Sequence, residues 1–161
     1  MIRKLAVVAS ALALTGCGAA PQGAAESASR LLAAALKGDR VAFEAEIDRA
    51  AVRDDVRRQI ADVARGSLLD VEGGPSEFAL DRMISPAAIR VVHAGTGETL
   101  TAAPTPAQVA KLMREVDDRR ACVRGRKGDC LLTFAKEKRD WRLVGMKAMN
   151  VEVEVASASL P

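Results

Sequence analysis

Apolar positions along the chain fall into three regimes. Leu5 to Leu14 is a single apolar run interrupted only by Ser10, Leu31 to Val116 shows helical spacing, and from Ala121 onward the apolar residues form short strand-like runs. Leu31, Leu32, Ala35 and Leu36 form a helical stripe that Gly38 stops as a C-cap, and Asp39 caps a second helix carrying Val41, Phe43 and Ile47. Asp48 caps a third, in which Val52, Val56, Ile60 and Val63 recur at i, i+4, i+8 and i+11 while Arg53, Asp54, Asp55, Arg57 and Arg58 fall elsewhere. After the break at Gly73-Gly74-Pro75, Ser76 caps a helix with Phe78, Leu80 and Met83. Ser85-Pro86 then starts a short helix facing Ile89 and Val92 inward. Thr105-Pro106-Ala107-Gln108 is a capping box that predicts a helix over 106–116, with Val109, Leu112, Met113 and Val116 on its apolar face.

Strands are predicted at Ala121–Val123, Leu131–Phe134, Trp141–Met146 and Val151–Val155, with hairpin loops at 125–129 and 136–140. Helices first and strands last predict an α+β fold, with short N-terminal helices packed on a C-terminal antiparallel sheet of three to four strands. No internal repeat is visible.

The first apolar run has its own meaning. Met1-Ile2-Arg3-Lys4 is a short cationic segment, the ten residues after it are too few to span a bilayer core, and the pattern is that of a signal peptide over residues 1–16. It ends in Leu14-Thr15-Gly16-Cys17, which resembles the lipobox of bacterial lipoproteins: an apolar residue, two small ones and a cysteine. The resemblance implies that Cys17 receives a diacylglycerol thioether before cleavage and becomes the acylated first residue of the mature chain. More than one acyl chain, at ~0.8 kcal/mol per buried methylene, holds a protein stably on a membrane. The expected location is the bacterial cell envelope, facing the periplasm. Asp after the cysteine is an inner-membrane retention signal in some bacteria, and Gly18 in its place leans towards the outer membrane. Residues 17–27, rich in Gly, Ala, Pro and Gln with no large apolar residue, are expected to be a flexible tether, with one globular domain over 28–155 and a tail over 156–161.

Composition agrees with a folded chain. At 49% hydrophobic and 28% charged residues the chain is too apolar for disorder, and with only Phe43, Phe78, Phe134 and Trp141 as aromatics the core must be built from aliphatic residues. The formal charge of +3 falls once the leader is removed: 24 basic residues less Arg3 and Lys4 leave 22 against 21 acidic, a balance of +1. That balance, and the scarcity of stacking residues, give no support to a nucleic-acid partner.

From Leu31 to Val92 the chain resembles the bacterial family called domain of unknown function 2939. The likeness rests on Ala-Leu-Lys-Gly-Asp at 35–39, Ile47-Asp48, and Met-Ile-Ser-Pro-Ala-Ala-Ile at 83–89, with the strand at Trp141-Arg142-Leu143 also fitting. The resemblance implies no established activity and no catalytic residues. The pair Cys122 and Cys130, and the extension Val151–Val155, depart from the family pattern. Short helices on a curved sheet are also similar to the cone-shaped nuclear-transport-factor-2-like folds, a fold-level analogy that implies a pocket.

Candidate chemistry is sparse. No Gly-x-Ser-x-Gly, Ser-x-x-Lys, His-Glu-x-x-His or P-loop pattern occurs, tyrosine is absent, and His93 is the only histidine. Catalytic, cofactor-binding and metal-ligating residues are therefore assigned to none. His93, placed at a helix end beside a glycine loop, is read as structural. Cys122 and Cys130 flank Gly125-Arg126-Lys127-Gly128, and pairing Arg124 with Gly128 sets the two thiols opposite each other; in an exported protein this predicts a structural cross-strand disulfide. Arg119, Arg120, Arg124, Arg126 and Lys127 are read as one cationic cluster near that hairpin, mixed with Asp117, Asp118 and Asp129. Val151–Val155 has the alternation of an edge strand, which Glu152 and Glu154 would guard against pairing. The expectation is a membrane-anchored, non-enzymatic binding or structural module whose partner is an envelope protein or a small apolar ligand. The alternative is an enzyme using carboxylates in a conical pocket.

Overall fold

The computed structural model describes residues 22–66, 74–149 and 151–156. The leader, Cys17 and most of the tail lie outside the described residues. The architecture is the α+β arrangement expected: helices come first and a four-stranded antiparallel sheet follows.

Helix α1 (Gln22–Lys37) begins six residues before the predicted domain start, so residues 22–27 belong to the fold and not to a tether. Small side chains are what allow this. Ala24, Ala25 and Ser27 are buried, and Gly23 sits so close to the indole of Trp141 that a Cβ there would lie 2.8 Å from its Cδ1. The glycine and alanine content that suggested flexibility instead lets the helix approach the sheet. At its other end Gly38 takes φ +65°, its N–H bonds to Ala35 O, and the N–H of Asp39 bonds to Ala34 O, the 6→1 and 5→2 pair of a Schellman cap. Asp39 then accepts from Ala42 N to start α2 (Arg40–Ala45), and Asp48 accepts from Ala51 N to start α3 (Arg49–Gly66), both as predicted. In α3, Val52 and Val56 are fully buried and Ile60 partly so, but Val63 is 67% exposed because the last turns extend past the sheet that the first turns cover. Ser76 caps α4 (Glu77–Met83), which buries Leu80 and leaves Phe78 71% exposed.

Two predicted helices are corrected. Pro86–Ala88 forms only one 3-10 turn, and Ile89, Val91 and Val92 continue as strand β1 (Ile89–His93). The run Ile-Arg-Val-Val is rich in β-branched residues, which lose rotamers in a helix and fit a pleated surface. His93 therefore ends a strand, not a helix, and its backbone closes a turn with Gly97 and Glu98. The capping box at Thr105 and Gln108 is present, but α5 (Pro106–Ala110) stops at Ala110, and the segment expected to finish it becomes strand β2 (Met113–Asp117). Pairing with β3 (Arg120–Arg124) supplies that segment with hydrogen bonds the helix would otherwise provide, and Leu112 O accepts from Arg124 N at 2.9 Å.

The sheet runs β2-β3-β4-β5, with β4 (Cys130–Glu137) and β5 (Asp140–Met146) completing it. Its free edge at β5 is covered by the connector between α2 and α3: Ile47 bridges Leu143, with Asp48 N bonding to Leu143 O and Leu143 N to Glu46 O. The terminal strand β6 (Val151–Val155) does not join this sheet. It pairs in parallel with β1, Ile89 opposite Val151 through His93 opposite Val155, a crossover that only tertiary structure can bring together. Phe43, Leu31, Leu32, Phe134, Leu132 and Leu143 fill the interior between helices and sheet.

Candidate functional site

Helix α4 has seven residues and one fully buried side chain, too little to hold it by propensity or burial alone. Charge supplies the rest. Arg49, Arg53 and Arg57 repeat every four residues on α3 and so share one face; Glu77 and Asp81 do the same on α4. Arg53 reaches both acids, at 2.5 Å to Asp81 and 3.1 Å to Glu77, Arg49 joins Asp81 at 3.5 Å and Glu44 at 2.6 Å, and Arg57 pairs with Glu77. The hydrogen bond from Arg53 holds the Asp81 carboxyl below the usual carboxylate range, and raises the guanidinium in turn.

From the C-terminal end of this helix runs a groove of about 600 Å³, lined by Met83, Ala87, Ala88, Met146, Ala148 and Val151. Met149 lies on its lip, 66% exposed, and Arg90, Lys147 and Glu152 form the polar rim. A second hollow of about 580 Å³ shares Ala87 and Ala88 with it and carries the lining on to Phe78, Arg82 and Arg40. The Arg82 guanidinium stands 5.9 Å from the centroid of the Phe78 ring. The rim charges are already partnered, Arg90 to Glu152 at 2.9 Å and Lys147 to Asp129 at 2.6 Å. An open, methionine-lined floor with paired rim charges suits adaptable apolar contact.

The predicted site residues separate. Cys17 lies outside the described residues. Cys122 and Cys130 are disulfide-bonded with Cα atoms 5.5 Å apart. The route to that bond differs from the predicted register: Arg124 pairs with Cys130, Cys122 faces Thr133, and a bulge after Val123 lets the two cysteines bond diagonally. The cause is the loop, which closes from Gly125 N to Asp129 O with Gly128 at φ +82°, so that Arg124 meets Cys130 instead of Gly128 and the loop is two residues longer on the β4 side than assumed. The single cationic cluster is also corrected. Arg119 and Arg120 stand at the β2–β3 turn, whereas Arg124, Arg126 and Lys127 stand at the β3–β4 turn at the other end of β3. Arg126 is held by Glu154 at 2.5 Å. Among the described residues no group of three or more His, Cys, Asp and Glu side chains could hold a metal ion, and no helix is long and apolar enough to cross a membrane.

The groove and the arginine ladder were not anticipated. Their signals were present as the spacing of Arg49, Arg53 and Arg57 and as the apolar side chains of Met83, Met146 and Met149, but neither pattern names its partner. The chain matches no known family model, no curated protein and no solved structure.

Proposed function

We propose that this chain is a bacterial cell-envelope lipoprotein, anchored by lipid on Cys17 and facing the periplasm, whose domain is a non-enzymatic binding or structural module. The observation that carries the reading is Leu14-Thr15-Gly16-Cys17 directly after a cationic and an apolar segment. The Cys122–Cys130 bond supports it, since such bonds persist in oxidising compartments. The reading includes membership of the domain of unknown function 2939 family. Its signature residues at 35–39 and 83–89 serve here as the cap of α1 and the corner between α4 and β1.

The binding element in this reading is the methionine-lined groove, with an envelope protein segment or a small apolar molecule as its occupant. The carboxylate-enzyme alternative calls for an Asp or Glu held protonated near neutral pH. The displaced carboxylates move the other way: Asp81 by its bond to Arg53, Asp117 by the backbone N–H of Arg119 and then Arg120, and Asp129 by Lys147. These are anions fixed in ion pairs.

Feeding cells a fatty-acid analogue tests the anchor. Wild-type protein takes up label and Cys17→Ser does not, remaining as precursor or soluble protein. Equal labelling of the two would refute it.

A further inference from the structure

On the reading that Cys17 is acylated, we infer that the end of the sheet bearing the β4–β5 and β2–β3 turns faces the membrane and rests on anionic phospholipid headgroups. The argument begins with length. From Cys17 to Gln22, the first residue of α1, is five residue steps, which fully extended reach no more than ~17 Å. The start of α1 therefore stays close to the headgroups whatever path those residues take.

The fold decides what accompanies it. The first turns of α1 lie on Trp141, with Gly23 against the indole and Ser27 Oγ donating to Trp141 O at 2.9 Å. Trp141 pairs with Lys136 across the β4–β5 hairpin, so this hairpin's tip is beside the helix start. The β2–β3 turn is tied to the same place: Lys136 N donates to Arg119 O at 2.8 Å, and the Arg119 guanidinium donates back to Lys136 O at 3.1 Å.

Arg119, Lys136, Lys138, Arg139 and Arg142 are all exposed here. They stand against Asp118, Glu137, Asp140 and Glu26, once Asp117 is set aside with its partner Arg120 at 2.6 Å. Among the described residues Lys136, Lys138, Arg139 and Arg142 form no ion pair; at the far end of the sheet Arg126 and Lys147 are held by Glu154 and Asp129, while Arg124 and Lys127 form none. Long basic side chains reach outward beyond the shorter carboxylates and meet an anionic surface within a Debye length of ~8 Å. Charge alone would not choose between the two ends of the sheet. The short tether does.

The test is an amine footprint of the full-length acylated protein in vesicles. Protein on phosphatidylglycerol vesicles is treated with a membrane-impermeant amine-acylating reagent and each lysine is read by peptide mass spectrometry. Lys136 and Lys138 should react several-fold more slowly than in detergent. Lys37, at the other end of a helix ~24 Å long, and Lys127, beyond the far end of β4, should not change. The Lys136→Glu, Lys138→Glu, Arg139→Glu variant alters only exposed residues of the β4–β5 hairpin, and its fold is checked by circular dichroism. It should still carry lipid and should leave the footprint shallower at the neighbouring Arg142 peptide, read by an arginine-directed reagent. Lipid-bearing protein in which Lys136 and Lys138 react as readily as Lys127, or in which Lys37 and Lys127 are protected instead, overturns the orientation. Equal protection on phosphatidylcholine vesicles overturns the anionic headgroup as the partner. Protein that carries no lipid at all fails the anchoring reading itself, a result the label reports separately.

Discussion

The Arg53 guanidinium donates to the Asp81 carboxylate at 2.5 Å across the gap between α3 and α4, and Arg49 approaches the same carboxylate at 3.5 Å. Two cations on one acid make Asp81 a residue through which α4 is held, and the last residue of α4, Met83, lines the groove assigned to binding.

That relationship sets a pH dependence. The Asp81 carboxyl is held below its ordinary value by Arg53, so it titrates lower folded than unfolded. The stability it contributes is present at neutral pH and is lost as pH falls through the folded value. Asp81→Asn should therefore melt lower than wild type at pH 7, and the two melting temperatures should converge in acid. Thermal melts by circular dichroism across pH check this; a constant gap down to pH 2 would show that the pair contributes nothing.

Gly23→Ala opposes two effects of similar size. Replacing glycine in a helix gains up to ~1 kcal/mol, less at the first turn, while the new Cβ would lie 2.8 Å from Trp141 Cδ1 and force α1 off the sheet at a cost of ~1–3 kcal/mol. Because the indole is itself packed in the core and has little room to give, the clash should win, leaving the variant less stable by ~1–2 kcal/mol. Denaturant unfolding followed by the fluorescence of Trp141, the only tryptophan, reads both the stability and the local environment.

The Cys122–Cys130 bond closes a short loop with a sequence separation of 8, so by chain entropy it stabilises by at most ~3 kcal/mol. The Cys122→Ser, Cys130→Ser double variant should keep its circular dichroism spectrum and unfold at lower denaturant. In the untreated wild-type protein both thiols should resist alkylation until a reductant is added, as mass spectrometry would show.

Features decided by neighbours in the chain were legible without a structure. Gly38 and Asp39 cap as expected because a Schellman motif and an N-cap need only residues within a turn of each other. The same holds for Asp48, Ser76 and the Thr105–Gln108 box, and for the buried phase of Val52 and Val56 on α3. The pairing of Cys122 with Cys130 was legible because a hairpin keeps them near, although its register was not, since a bulge and a longer loop differ from the assumed turn by less than any sequence signal resolves.

What depended on distant partners was decided only by tertiary structure. Residues 113–117 and 89–93 carry patterns compatible with helix or strand, and the outcome followed from β3 and β6 being there to pair with them. Whether Gly23 and Ala24 form tether or helix turned on an indole 118 residues later at Trp141, and the arginines of α3 acquired a role when α4 folded back on them. Local propensities differ by fractions of a kcal/mol, so a long-range pairing that satisfies a strand's hydrogen bonds and buries its side chains overrides them.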